Sequence, residues 1–235
     1  MQAIILAGGK GTRLKPFTIT IPKPLMPIGD LPILEIVLRQ LSSYGFKDIT
    51  ITVNHLAELI MAFFANGSKL NMDIKYSMEE EFLGTAGPLS LISGYEENFL
   101  VMNGDLLTTL NYGKLFDYHL KNKNDITIAS YTKEVKIDLG VLHSTDSMFH
   151  EYIEKPTYTF DVSTGIYIIG RNCLSFLKRG ERLDMPDFIR LLHRQGKKIM
   201  CYKDDYLWLD IGRVEDYEKA TEIFNTNQKE FLKNY

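Results

Sequence analysis

The sequence predicts an α/β fold: a doubly wound, mostly parallel, Rossmann-like sheet with antiparallel additions in the second half. Three observations predict it. The chain opens on an apolar run, Ala3-Ile4-Ile5-Leu6-Ala7, that stops at two glycines, as a buried parallel strand does. Strand-like runs then alternate with helical patterns through the first half. In the second half, several strand-like runs are separated only by loops. The 235 residues suffice for one sizeable core, since a single core grows to about 250–300 residues. One domain over 1–235 is therefore expected.

The elements follow in order. Residues 33–41 have helical spacing and end near Gly45, a natural residue for the left-handed turn after a helix. A strand is expected over 49–53, a helix over 56–64, a strand over 72–76 and a short apolar strand over 99–102. Residues 126–129, 139–142 and 166–169 read as strands, and their short connections suit antiparallel additions to one edge of the sheet. Asp184-Met185-Pro186-Asp187 opens a helix with a cap and an early proline. That helix closes at Gly196. Val214, Tyr217, Ala220, Ile223 and Phe224 fall at helical spacing and predict a closing helix over 214–231, packed on the sheet.

Composition narrows the function. Hydrophobic residues make up 45% and charged residues 24%, which is ordinary for a soluble globular chain. A net charge of -3 lacks the basic excess that nucleic-acid or membrane-surface binding needs. Phosphate binding must then rest on local Lys and Arg. Cys173 and Cys201 form no C-x-x-C pair and read as free buried thiols of a reducing compartment. The N-terminal run is too short for a signal peptide, and no stretch nears the ~20 apolar residues of a membrane span. The expected location is the cytoplasm. His119, His143, His150 and His193 show no ligand spacing, so no zinc is expected. Asn54-His55 follows a strand, and the histidine reads as structural.

The first strand breaks at Gly8-Gly9-Lys10-Gly11-Thr12-Arg13. Its end presents bare backbone N–H groups at the C-terminal edge, where open α/β sheets bind ligands. Without a Cβ, glycine lets backbone approach a phosphate closely. Gly-Gly alone would be a plain turn with surface charges. Neither G-x-G-x-x-G nor the P-loop pattern is present, so this is a phosphate loop of another kind. Arg13 can fork onto phosphate oxygens and Lys23 can act as a point charge. Asn103-Gly104-Asp105 ends another apolar strand; it is either a plain turn or a carboxylate facing the same mouth. Asp210 sits between Leu209 and Ile211, where an unpaired charge is costly. It is either a metal ligand or a helix cap. Asp216 reads as an ordinary exposed carboxylate in a helix's first turn.

The run Gly8-Gly9-Lys10-Gly11-Thr12-Arg13-Leu14-Lys15-Pro16, followed by Pro22-Lys23-Pro24-Leu25-Met26-Pro27, resembles the signature of the sugar-1-phosphate nucleotidyltransferases, the nucleotide-sugar pyrophosphorylases. The likeness extends over residues 1 to about 225. It implies a nucleotide-binding half over about 1–110 and a sugar-phosphate half over about 111–235. Leu6, Ala7, the glycine loop, Asn103 and Gly104 would bind the nucleotide. Gly84-Thr85-Ala86-Gly87 matches the nucleobase segment, and the residue five before Gly84, Glu79, would read the base edge; a shifted loop would give that place to Glu80. Many uridylyl and thymidylyl members carry Gln there. An ionised Glu only accepts hydrogen bonds. Guanine offers two adjacent donors, so Glu79 favours GTP, and the segment is similar to that of mannose-1-phosphate guanylyltransferases.

The resemblance further implies Mg²⁺ on Asp105 and Asp210. Glu154 would accept from sugar hydroxyls, Lys155 would bind the sugar phosphate, and Gly140 would let the sugar approach the backbone. Ser163-Thr164-Gly165 stands where the family usually has Asn-Ala-Gly or Asn-Thr-Gly, a departure at Ser163. The implied reaction joins an NTP and a sugar 1-phosphate into an NDP-sugar with release of pyrophosphate. Catalytic residues would be Arg13, Lys23, Asp105 and Lys155. Partners would be small molecules, with a homo-oligomer possible. The rivals are uridylyl or cytidylyl transfer to another phosphate, and an inactive nucleotide-sugar sensor. A sensor would lack Arg13, Lys23, Asp105 or Asp210, and all four are present.

Overall fold

The structure is a computed structural model and describes residues 1–232. β1 (Gln2–Leu6) runs into the glycine loop. A hairpin of β2 (Pro27–Ile28) and β3 (Leu31–Pro32) feeds α1 (Ile33–Ser43). β4 (Asp48–Val53), α2 (Ala57–Phe64) and β5 (Asp73–Met78) follow. Then come β6 (Asn98–Asn103), β7 (Leu106–Thr108), α3 (Tyr112–Asn122) and the long β8 (Ile126–Lys136). β9 (Val141–Thr145) and β10 (Met148–Ile153) form a ribbon before β11 (Thr157–Gly170) returns. α4 (Met185–Arg194), β12 (Ile199–Lys203), β13 (Trp208–Asp210) and α5 (Val214–Phe231) complete the chain.

Seven strands form the central sheet in the order β12-β8-β11-β6-β1-β4-β5. β1 pairs in parallel with β4 and β6, β4 with β5, and β12 with β8. β11 runs antiparallel to both β6 and β8. The predicted fold class holds, with one correction. The antiparallel strand lies inside the sheet and not at its edge. The crossover through α3 lays β8 one place beyond the neighbour of β6. The β9–β10 ribbon then turns the chain back, and a returning strand must be antiparallel, so β11 fills the gap. Residues 139–142 do not join this sheet at all: β9 starts at Val141 and pairs only with β10.

Core packing explains the elements. Ala3, Ile4 and Ile5 are buried on both sides of β1, hence its unbroken apolar run. One face of the sheet carries Leu34, Val37, Leu38 and Leu41 of α1 against Ile49, Ile51 and Val53. The other face carries Phe99, Val101 and Tyr167 against Phe188 and Leu192 of α4. A third cluster joins Ala220, Phe224 and Phe231 of α5 to Leu14, Ile28, Leu107 and Ile211. That cluster fastens the glycine loop and the β7–β13 ribbon to one helix.

Smaller boundaries shift for local reasons. α1 ends before Gly45, whose φ is 84°, as expected. α2 begins at Ala57, because Leu56 takes a left-handed conformation with φ 54°. The strand expected over 72–76 begins at Asp73 and continues to Met78. α5 spans the residues predicted for the closing helix, with a kink at Asn227. Cys173 is buried, but Cys201 is exposed on the edge strand β12, against expectation; both are free. Among the described residues, no helix is long and apolar enough to cross a membrane.

Candidate active site

The C-terminal ends of β1, β4, β5 and β6 are stitched together just where the loops begin. Ala7 N–H donates to Thr52 C=O (3.0 Å), Gly104 N–H to Leu6 C=O (2.9 Å) and Glu79 N–H to Val53 C=O (3.0 Å). Above this edge lies a cavity of about 260 Å³. Leu6, Ala7, Gly8, Gly9, Gly11, Thr12 and Arg13 line it, with Lys23, Glu79, Gly84, Thr85, Asn103 and Asp105. These are thirteen of the predicted site residues, gathered from the ends of β1, β5 and β6 and from the short turn that carries Lys23.

The glycine loop has two anchors. Gly11 takes φ 58°, and a Cβ there would stand 3.0 Å from Thr18 Cγ2. The Thr18 hydroxyl donates to Gly11 C=O at 2.8 Å. Leu14 is 1% exposed within the third cluster. Arg13 is held between these anchors and lies across Gly212, where a Cβ would stand 3.2 Å from its Nη1. Lys23 sits in a short turn between Pro22 and Pro24, 7% exposed, and pairs with Asp105. A buried ammonium needs such a partner, and the pairing aims it at the mouth.

Asp210 reaches the same place from the far end of the chain. In the β7–β13 ribbon it lies opposite Leu106, the residue after Asp105. Leu209 and Ile211 pack in the third cluster, so strand alternation turns Asp210 the other way. Its side chain is exposed, a correction to the burial its apolar neighbours suggested. Its carboxyl is still pushed above the ordinary range. The surrounding walls, which thin its water shell, are the first cause, and the Asp105 charge is the second. Lys23 and Arg13 pull it back. The helix-cap alternative falls away: Arg213 is the N-cap of α5, and its N–H donates to Asp216 Oδ2 at 2.9 Å.

Glu79 forms the other end of the cavity. It is 4% exposed, while Glu80 and Glu81 are in solvent. The Leu83 N–H donates to its Oε2 at 3.1 Å, and Asn54 holds its backbone by donating to Glu79 C=O at 2.7 Å. Gly8 is required beneath it, because a Cβ there would lie 2.6 Å from Oε1. Burial pushes the carboxyl up, while the Leu83 N–H and the Thr52 side chain favour its charge. The next segment is tied to α4. Asp184 caps no N–H of its own helix; it accepts from Thr85 N–H at 3.2 Å, and Met185 N–H donates to Thr85 Oγ1 at 2.7 Å. Gly84, at φ 81°, passes so close to Leu183 that a Cβ would stand 2.6 Å from its carbonyl oxygen.

The remaining predicted residues lie outside the cavity lining. Lys10 is exposed on the loop and Gly104 is buried below it. Gly165, at a register break of β11, packs against the Asn103 amide. Its neighbours are engaged locally: the Ser163 hydroxyl lies 3.0 Å from Tyr167 Oη, and Thr164 donates to Ala129 C=O at 2.9 Å. Gly140, Glu154 and Lys155 sit at the base of the β9–β10 ribbon, with both charged side chains exposed. Sequence reasoning missed Leu14, Pro24, Thr52, Phe82 and Gly212 in the lining. A threonine late in a strand is an ordinary strand former, so nothing in the sequence marks Thr52. Asn54 does not line the cavity; it acts through the Glu79 backbone. His119, buried between Thr127 and Asn98, is structural.

Residues 2–227 match the family model described as nucleotidyl transferase. The chain is 33% identical to the UTP–glucose-1-phosphate uridylyltransferase of Synechocystis, over 94% of this chain and 62% of that protein. It is 30% identical to the mannose-1-phosphate guanylyltransferase of Mycobacterium tuberculosis, over 94% of this chain and 64% of that protein. HddC from Yersinia pseudotuberculosis, solved with GMP-PN, superposes with a TM-score of 0.72 at 27% identity, covering 95% of this chain and 99% of that one. A Bacillus anthracis structure described as a glucose-1-phosphate thymidylyltransferase shares the fold, with a TM-score of 0.77 at 23% identity and coverage of 95% and 94%. The chain belongs to the nucleotidyl transferase family. It spans just under two thirds of the length of the two curated relatives named above, 62% and 64%.

Proposed function

We propose that this protein is a sugar-1-phosphate guanylyltransferase, making a GDP-sugar and pyrophosphate from GTP and a hexose or heptose 1-phosphate such as mannose 1-phosphate. The observation that carries the base assignment is Glu79: a buried carboxylate at one end of the nucleotide cavity, able only to accept. Guanine presents two adjacent donors to it, whereas uracil would set a carbonyl oxygen against it. The mannose-1-phosphate guanylyltransferase relative and the GMP-PN complex of HddC support this reading. The uridylyltransferase relative favours UTP as the second reading.

In the proposed reaction an oxygen of the sugar 1-phosphate attacks the α-phosphorus. That P–O bond forms as the bond to the β-phosphate breaks, and pyrophosphate departs. The attacking oxygen is already ionised at neutral pH, so no side chain has to accept a proton. The residues bind, orient and neutralise charge. The loop N–H groups and Arg13 hold the leaving pyrophosphate. Lys23, steered by Asp105, meets the α-phosphate. Glu154 and Lys155 approach sugar and phosphate from the ribbon base, and Gly140 and Ser163-Thr164-Gly165 belong to the same side.

Asp105 and Asp210 fit a bound Mg²⁺. They form a like-charged pair at the phosphate end, and Asp105 is one reason the Asp210 carboxyl is pushed up. Among the described residues no third acidic, His or Cys ligand joins them. That is the protein share Mg²⁺ takes when phosphates and waters supply the rest. When bound, Mg²⁺ supplies charge neutralisation on the phosphates. The test is to incubate the protein with Mg²⁺, GTP and a panel of sugar 1-phosphates. The expected result is pyrophosphate released in step with one GDP-sugar. A folded protein that binds a nucleotide-sugar but releases no pyrophosphate with any NTP would overturn the reading.

A further inference from the structure

Asp184 is the N-cap of α4, yet its side chain accepts from no N–H of that helix. An aspartate there ordinarily accepts from the second or third N–H of its own helix. Its Oδ1 accepts instead from the Thr85 N–H, 99 residues away in sequence, at 3.2 Å. The helix is served in return, because its first N–H, at Met185, donates to Thr85 Oγ1 at 2.7 Å. Each side chain thus caps the other segment's backbone. The main chains are laced as well. Leu183 N–H donates to Leu83 C=O at 2.9 Å, and Leu183 C=O accepts from Ala86 N–H at 2.9 Å and Gly87 N–H at 3.0 Å. A Cβ at Gly84 or Gly87 would stand 2.6 Å from the carbonyl oxygen of Leu183 or Glu181, so the two segments touch without side chains between them. The Arg182 guanidinium lies over the Phe82 ring, 5.6 Å from its centroid.

On the loop side, residues 83–86 belong to no helix or strand, while Gly84 and Thr85 line the cavity. On the helix side, Met185, Phe188 and Leu192 are buried in the second core cluster, and neither Asp184 nor Met185 lines the cavity. A wall without regular structure is therefore fastened to a rigid helix start behind it. We infer that Asp184 is a positioning residue for nucleobase recognition: it touches no substrate and holds the Gly84-Thr85 wall in its binding shape. This rests on the reading of residues 79–85 as the base site, and it holds whichever base is bound. Left loose, the wall would have to be ordered by the nucleotide at binding, and that entropy cost would weaken nucleotide binding. The strap also reaches Glu79, because Leu83, tied to Leu183, donates its N–H to Glu79 Oε2 at 3.1 Å.

The experiment measures kcat and KM by pyrophosphate release with Mg²⁺ in wild type, Asp184→Ala and Asp184→Asn. Asn keeps an oxygen that can accept from the Thr85 N–H, and Ala keeps none. Asp184→Ala should raise KM for the preferred nucleotide about tenfold, the scale of one hydrogen bond to a charged group. Its kcat and its KM for the sugar 1-phosphate should stay within about twofold of wild type, the split that marks lost ground-state binding. The kcat/KM ratio between the preferred and the next-best nucleotide should narrow severalfold. Asp184→Asn should recover most of the loss. A nucleotide KM and ratio unchanged in Asp184→Ala, a loss shared equally by kcat or by the sugar 1-phosphate, or an Asn variant no better than Ala overturns the inference. Wild type alone gives a check that needs no variant to fold. Hydrogen exchange of the Met185 N–H, outside the cavity lining, should slow severalfold when the preferred nucleotide binds and stay unchanged with pyrophosphate alone; an unchanged rate with the nucleotide overturns the inference. A wild type that prefers UTP overturns the guanylyl reading, and the same measurements made with UTP still decide the role of Asp184.

Discussion

Replacing Glu79 by Gln should move base preference from GTP toward UTP while making the free protein more stable. The side chain keeps its shape. Oε2 must go on accepting the Leu83 N–H at 3.1 Å, so the new amide NH₂ replaces Oε1, which lies over Gly8. One acceptor at the base end becomes a donor. With GTP, the loss is a hydrogen bond to a charged group, about 1.5–3 kcal/mol, or roughly 10–100-fold in kcat/KM. With UTP, the amide can donate to a carbonyl and accept from N3–H. The GTP-to-UTP ratio should fall about 100-fold or more. Stability moves the other way. Burial holds the Glu79 carboxyl above its ordinary value of 4.5 in the folded state. The stability it contributes is therefore full below that value and is lost as pH rises through the folded pKa. Gln stays neutral, so its advantage in Tm should be small at pH 4.5 and larger at pH 7.5. Pyrophosphate release with each nucleotide and thermal melts at both pH values are the assays. A ratio within about twofold of wild type, or a Tm that falls at pH 7.5, would refute the reasoning.

Three further outcomes are expected. His119 is buried in a hydrogen-bonded chain to Thr127 and Asn98, both at 2.9 Å, and burial pushes its pKa down to about 4. A lowered histidine pKa means stability present above about 6.5 and lost as pH falls toward 4, on the order of 3 kcal/mol in all; urea midpoints against pH should show that slope in wild type and lack it in His119→Gln. Phe188→Ala removes a fully buried ring from α4 and should cost about 3–5 kcal/mol, read as a lower urea midpoint at unchanged slope. Chelating divalent cations should abolish pyrophosphate release without altering the circular dichroism spectrum; release that survives chelation would remove the role given to Asp105 and Asp210.

The first half of the chain was legible because its strands are buried on both faces and leave unbroken apolar runs, as at Ala3-Ile4-Ile5. The site was legible for a related reason: glycines and charges placed directly after such runs have few structural uses. Long-range pairing was harder to read. Lys133, Glu134 and Lys136 disguise the outer half of β8, which is a strand because β11 pairs with it and not because of its own pattern. The interior position of β11 follows from where α3 sets β8 down, which no local signal encodes. Asp210 shows the limit of reading burial from neighbours. Leu209 and Ile211 are packed away, and alternation alone turns the carboxylate outward. Thr52 is the converse: an ordinary residue in sequence, set against the Glu79 carboxyl only by the strand ends around it. Gly140, Glu154 and Lys155 were legible only through family likeness, and the structure sets them at the ribbon base outside the cavity lining.

The central claim is that a buried carboxylate selects guanine. The most direct measurement is the ratio of kcat/KM for GTP to that for UTP, taken on wild type with Mg²⁺ and the sugar 1-phosphate that supports turnover. The account predicts a strong preference for GTP, about 100-fold or more, lost in Glu79→Gln. A preference for UTP would leave the reaction standing and contradict the base assignment.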